Sequence, residues 1–166
     1  MCGIIGINSN RPVSSTIISS LKKLEYRGYD SAGIATLSNN EINEVKSEGR
    51  VDKLENNSLV QNMIGTIGIG HVRWATHGLP NSVNAHPHSS QNVSVVHNGI
   101  IENSTLLKKF LVSKGHKFKS QTDTEVIVHL ITHVGCGSIV DIHIHFCLPT
   151  VVIILNRNVV PFIHFN

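Results

Sequence analysis

At 166 residues, 40% of them apolar, the chain has room for one domain with a real core. Its formal charge of +3 comes from 14 Lys and Arg against 11 Asp and Glu, with no basic run longer than the pairs Lys22-Lys23 and Lys108-Lys109, which argues against a nucleic-acid footprint. Met1-Cys2-Gly3-Ile4-Ile5-Gly6 lacks the charged opening and the cleavage site of a secretory signal, and three widely spaced cysteines (Cys2, Cys136, Cys147) do not make a disulfide framework, so a reducing, cytoplasmic setting is expected.

Gly3 to Ile7 reads as a short apolar strand. After Pro12, residues Val13, Ile17, Ile18, Leu21 and Leu24 recur at helical spacing until Gly28, which predicts an amphipathic helix. Ala32–Leu37, Thr66–Val72 and Val93–His97 are β-rich runs bounded by Gly, Asn and Ser. Leu106, Leu107, Phe110 and Leu111 form one helical face that stops before Gly115. Thr122-x-x-Glu125 is a capping-box pattern, predicting a helix whose buried side is Val126, Ile127, Leu130 and Ile131. Together these predict a domain mixing helices and strands.

The composition changes at residue 133. Residues 133–166 hold one acid (Asp141), one Arg (Arg157), no Lys and four of the eleven histidines. Val151–Leu155 and Val159–Ile163 are apolar, but Pro149, Arg157 and Pro161 cut them far below the roughly 20 residues of a membrane helix. Ile139–Phe146 alternates as a strand would and Val151–Leu155 could form another, yet strand propensity alone does not fix register, so irregular packing of the tail from residue 133 is expected.

Cys2, read from position alone, is either a buried or incidental cysteine, the commoner case, or a residue that carries chemistry. A small second residue permits removal of the initiator Met1, which leaves Cys2 with a free α-amino group. A cysteine thiol titrates near 8.5 and an α-amine at about 7.7–8.0, so one residue supplies nucleophile and base. A zinc reading of His86-x-His88, His143-x-His145, Cys136 and Cys147 is weak, because no Cys-x-x-Cys is present and the last two cysteines lie far apart. Neither metal nor cofactor is expected.

Six segments then occur in order: Cys2-Gly3-Ile4-Ile5-Gly6, Tyr26-Arg27-Gly28-Tyr29-Asp30-Ser31-Ala32-Gly33, His71-Val72-Arg73-Trp74-Ala75-Thr76-His77-Gly78, Asn84-Ala85-His86-Pro87-His88, His97-Asn98-Gly99-Ile100-Ile101-Glu102-Asn103 and Thr122-Asp123-Thr124-Glu125. This ordered set resembles the glutaminase part of the glucosamine-6-phosphate synthases, class II glutamine amidotransferases with an N-terminal cysteine nucleophile. Enzymes that make phosphoribosylamine or asparagine resemble it only at the opening and at an Arg-Gly-x-Asp segment. The resemblance implies an α+β fold, the αββα sandwich of the N-terminal-nucleophile hydrolases.

By that resemblance Cys2 is the nucleophile, while the Asn98 side chain and the Gly99 N–H stabilise the tetrahedral oxyanion. Arg73, Thr76 and His77 face the carboxylate of glutamine, which suits the forked guanidinium of an arginine, and Asp123 faces its ammonium. Trp74 packs beside the pocket. Arg27 either supports the nucleophile or serves its own turn, whereas His86, His88 and His97 are scaffold. Glutamine is the expected partner, and fructose-6-phosphate enters only through a sugar-isomerising domain that nothing here resembles. Nucleic acid and membrane are not expected partners, and an oligomer is possible in the family but not legible here.

The resemblance covers residues 1–132, a partial glutaminase domain, and leaves 133–166 as an anomalous tail, either divergent or the product of a shifted reading frame. The expected fold is thus incomplete at its C-terminal part and the isolated chain a poor glutaminase. A catalytically inactive remnant, at most a binding fragment, is the alternative.

Overall fold

The computed structural model describes residues 2–75, 78–90, 92–134, 146–155 and 158–163, the last two stretches as backbone. Among them the chain order is β1 (Gly3–Asn8), α1 (Ser14–Leu24), a 3₁₀ turn (Glu25–Arg27), β2 (Ser31–Ser38), β3 (Glu41–Glu48), α2 (Asp52–Glu55) and α3 (Ser58–Gln61). Then follow β4 (Ile67–Arg73), β5 (His88–Ser90), β6 (Val93–Ile101), α4 (Ser104–Ser113), α5 (Glu125–Val134), β7 (Phe146–Leu155) and β8 (Asn158–Ile163). Two antiparallel sheets result, ordered β1-β4-β2-β3 and β5-β6-β7-β8.

Period-two alternation in β4 sets the layers. Gly68 and Gly70 face α1: a Cβ at Gly70 would stand 2.5 Å from Ile17 Cγ2, and one at Gly68 would stand 2.6 Å from Ile17 Cδ1. The helix lies almost directly on the strand backbone, which explains why two glycines sit inside a strand. Val13, Ile17, Ile18 and Leu21 of this helix region are buried there with Ile34, Val72 and Leu54, and each such side chain contributes about 1.5–3 kcal/mol of hydrophobic burial. The alternate residues of β4 face the second sheet, where Ile69 packs with Ala35 and Val96, flanked by Ile4, Leu37, Ile42 and Ile67. On the far side α5 covers β5 and β6, and Leu111, Val126 and Leu130 join α4 to α5. The order of layers is helix, sheet, sheet, helix: an α+β sandwich.

Several sequence expectations change. Strand β3 was not expected, because Glu41, Glu44, Lys46 and Glu48 mask its alternation. Those charges suit its place at the sheet edge, where they deter pairing with another chain. Its entry is an Asn39-Asn40 turn with φ of 51° and 62°, the two-residue hairpin in which both central residues are left-handed. On α4 only Leu111 is fully buried, while Leu106 and Phe110 of the expected apolar face are exposed, since α4 touches the body mainly through α5.

Helix α5 forms as expected, but without the capping box. The Glu125 carboxylate turns back to accept from the backbone N–H groups of Lys119 and Ser120 at 2.8 and 2.6 Å, and Thr122 Oγ1 lies 2.8 Å from His88 Nε2. The tail expected to pack irregularly supplies β7 and β8, which pair antiparallel with β6 and with each other, with one register shift in each ladder. Both register shifts fall at prolines: β7 gains a residue around Pro149 between the partners of Asn98 and Ile100, and β8 gains one around Pro161. A proline cannot donate to the ladder and is accommodated at a bulge or on an edge strand. The strand-like alternation expected to run from Ile139 to Phe146 lies, for residues 139–145, outside the described residues.

Candidate active site

Cys2 immediately precedes β1, whose register with β4 places it at the Arg73 end of that strand. The thiol is half-buried and free. The Trp74 N–H donates to Cys2 Sγ at 3.2 Å, and the thiol in turn lies 3.7 Å from the Trp74 carbonyl. The chain just after β4 is held by Asp30, whose Oδ2 accepts from the Ala75 N–H and whose Oδ1 accepts from Ser31 Oγ at 2.9 Å. Gly28 permits this close packing, because a Cβ there would fall 2.5 Å from the Arg73 carbonyl carbon. Sequence reasoning quoted the Arg-Gly-Tyr-Asp segment but gave Asp30 no role.

Asn98 arrives from the other sheet. Its Nδ2 donates to the Cys2 carbonyl at 3.0 Å, and its Oδ1 lies 3.2 Å from His71 Nε2. Gly99 follows opposite the Pro149 bulge with φ of 154°, a conformation glycine adopts without strain. Asp123, in the turn before α5, is half-buried and accepts from the Ile101 N–H at 2.7 Å. Cys2, Asn98 and Asp123 are therefore tied to one end of the sandwich by backbone and side-chain hydrogen bonds, with Gly99 next to Asn98 on β6.

Arg73 is buried to 4% exposure and its Nη1 donates to the Leu79 carbonyl at 3.3 Å. Trp74 is half exposed and meets Tyr29 edge-on, with ring centroids 5.6 Å apart. Arg27 turns to its neighbour, Nε donating to Tyr26 Oη at 3.2 Å with the guanidinium over the Tyr26 ring. Thr76 and His77 lie outside the described residues, as does Cys136.

Beneath Asn98 lies a group of buried imidazoles. His71 and His86 meet at a tilt of 38° with centroids 4.3 Å apart, and His86 meets His88 edge-on at 4.7 Å. His97 Nδ1 lies 3.1 Å from Thr124 Oγ1. Burial pushes His71 and His88 down to about 3 and His97 to about 4, and holds His86 well below its ordinary range. All four rings are neutral at pH 7. Among the described residues no group of three His, Cys, Asp or Glu side chains is arranged to hold a metal ion. A groove of about 410 Å³ between the β2–β3 turn and α3, lined by Asn39, Glu41, Leu59 and Ile64, contains none of the groups above. No helix of the described residues is long and apolar enough to cross a membrane.

This arrangement sets a thiol among amide groups from both sheets, the Trp74 N–H on its sulfur and the Asn98 side chain on its backbone. The chain is 52% identical over 143 residues to the glutamine–fructose-6-phosphate aminotransferase (isomerizing) of Clostridium acetobutylicum, an alignment covering 85% of this chain and 24% of that protein. It is 55% identical over 133 residues to the enzyme of the same name from Francisella tularensis, covering 79% of this chain and 22% of that protein. The chain thus spans about a quarter of the length of these relatives. The solved glutamine phosphoribosylpyrophosphate amidotransferase of Bacillus subtilis superposes with a TM-score of 0.79 at 27% identity, over 94% of this chain and 35% of that one. Its fold is that of the N-terminal-nucleophile amidotransferases, as the sandwich here is. The family model described as a glutamine amidotransferase domain matches residues 55–149, more than half of the chain, and the protein belongs to that family.

Proposed function

We propose that this chain hydrolyses glutamine to glutamate and ammonia, with Cys2 as nucleophile once Met1 is removed. The α-amine of Cys2 takes the thiol proton, directly or through one water, and the thiolate attacks the side-chain amide carbon of glutamine. The Asn98 Nδ2–H and the Gly99 N–H receive the oxyanion, the amide nitrogen leaves as ammonia with the proton held by the amine, and water then hydrolyses the glutamyl thioester. Trp74, whose N–H meets Sγ, provides a donor to the thiolate before attack. Arg73, with Thr76 and His77, holds the glutamine carboxylate, and Asp123 offers its second carboxylate oxygen to the ammonium. Arg27 supports the turn of Tyr26 to Asp30 and only indirectly the nucleophile.

One observation carries this reading: Asn98, from the second sheet, reaches within 3.0 Å of the backbone of Cys2. In the relatives' full-length setting the ammonia passes to fructose-6-phosphate on a separate isomerising domain, and the site works in the cytoplasm without a cofactor. We assign the glutaminase motifs to residues 1–132 and treat 133–166 as a distinct segment. The inactive-remnant alternative is not favoured, because the family match continues to residue 149 and β7 pairs with the strand that bears Asn98. The test is release of glutamate and ammonia from glutamine by purified protein whose terminus is confirmed by mass as Cys2. Glutamate released above a Cys2→Ala control, even slowly, supports the reading, and none above that control would refute it.

A further inference from the structure

The oxyanion donor proposed above has a partner of its own. Asn98 presents an amide whose two ends are nearly alike in shape, and the torsion that exchanges them is broad and roughly two-fold. Only one orientation helps the reaction. With Nδ2 toward Cys2 the site offers a donor to a developing negative charge; with Oδ1 there it offers a repelling lone pair.

We infer that His71 is the positioning residue that holds the Asn98 amide in its donor orientation. The Cys2 carbonyl is an acceptor only, so the Asn98 atom 3.0 Å from it is the amide nitrogen. Oδ1 then faces His71 Nε2 at 3.2 Å, and since an amide oxygen only accepts, Nε2 carries the proton. His71 is fully buried on β4 and Asn98 sits on β6, so this bond also crosses between the two sheets where the site is formed. A ring that titrated at neutral pH would gain a second donor and disturb this arrangement. Burial among Arg73, His86, His88 and His97 keeps it neutral, with the protonated form reached only at about 3.

His71 touches neither thiol nor substrate and acts through Asn98, so the inference rests on the reading of Asn98 as oxyanion donor. The conservative variant is His71→Gln, whose amide N–H occupies roughly the place of Nε2–H, whereas the shorter amide of His71→Asn does not reach. Both keep a polar amide at the buried position, and cooperative thermal unfolding checks that each folds. Deleting an oxyanion donor costs about 10²–10³ in rate, and letting one swing free costs less: His71→Asn should lower kcat about 10- to 100-fold with KM changed less than about 3-fold. His71→Gln should recover most of the loss. In an Asn98→Ala background His71→Asn should cost nothing further, since its route of action is gone.

The outcomes separate the two claims. If Asn98→Ala itself leaves kcat unchanged, the oxyanion assignment fails and takes this inference with it. If Asn98→Ala is damaging but His71→Asn adds its full loss on top, or leaves kcat at the parent value, the positioning role alone is overturned. Equal losses in folded His71→Gln and His71→Asn also overturn it, because the Nε2–H donor would then not be what matters.

Discussion

The two faces of β4 are built from opposite materials. Toward α1 the strand shows Gly68, Gly70 and Val72, in a cluster with Ile17 and Leu21. Toward the second sheet the same strand begins apolar, with Ile67 and Ile69, and then turns to His71 and Arg73 as it approaches Cys2. The outer face supplies stability from apolar burial, which is non-directional and tolerant of small shifts. The inner face at the site end forgoes that gain: it buries neutral imidazoles and a guanidinium, groups whose value lies in fixed hydrogen-bond direction. One strand thus separates a face of apolar packing from a face of directed hydrogen bonds, by nothing more than the period-two alternation of its side chains.

This contrast is open to attack at several points, and the largest effect is expected at the thiol. Cys2→Ala should abolish glutamine hydrolysis while leaving the unfolding temperature near that of the parent. Cys136→Ala and Cys147→Ala should each retain it. Retained activity in Cys2→Ala with loss in Cys136→Ala would assign the nucleophile elsewhere.

A pH titration of stability addresses the imidazoles. In the unfolded chain these histidines take up protons near 6.5, whereas in the fold His71 and His88 do so only at about 3 and His97 at about 4. The unfolded state therefore binds more protons throughout that window, and stability falls as pH drops below 6.5. Between pH 7 and 5 the loss is on the order of 2 kcal/mol per ring. The lowered Glu125 carboxyl contributes only below its unfolded value of 4.5, so the range above pH 5 isolates the histidines. A denaturant midpoint unchanged from pH 7 to 5 would contradict the neutral, buried state of these rings.

Ile17→Ala tests the other face. Removing this fully buried side chain should cost about 2–5 kcal/mol, lowering the stability curve at every pH without changing its slope, and kcat of the folded protein should hold. A change of slope would mean that the two faces are not independent. The smallest effect is expected at Asp123→Asn, which removes a charge at nearly constant volume. Glutamine affinity should weaken about 10- to 100-fold, the equivalent of one charge-assisted hydrogen bond, as read by protection against a competing glutamine analogue. Unaltered affinity would take Asp123 out of the substrate site.

Much of this architecture was legible in the sequence because apolar spacing is a local signal. Val13, Ile17, Ile18 and Leu21 mark the buried face of α1, and Val126, Ile127, Leu130 and Ile131 that of α5. Cys2, Asn98 and Asp123 could be picked out through ordered motifs that no periodicity reveals. What escaped was tertiary in origin. Strand β3 is charged and only partly buried, so it carries no apolar alternation, although its Asn39-Asn40 turn was a readable hairpin signal. The capping box failed because Glu125 found stronger partners in two backbone N–H groups upstream, and Thr122 was taken by His88. His71 stood in a quoted motif without a role, since only the meeting of two sheets brings it to Asn98.

The most direct test of the account is a mapping of where a glutamine-derived chloroketone reacts with the purified chain. Such a reagent presents glutamine's own carboxylate and ammonium to the pocket and an electrophilic carbon near the side-chain amide position, so it alkylates the thiol that glutamine would meet. Peptide mass spectrometry should find the adduct on an N-terminal Cys2, formed once per chain, suppressed by excess glutamine and slowed by Asp123→Asn. Alkylation spread over Cys2, Cys136 and Cys147 at similar rates, indifferent to glutamine, would mean that no glutamine site is formed around Cys2.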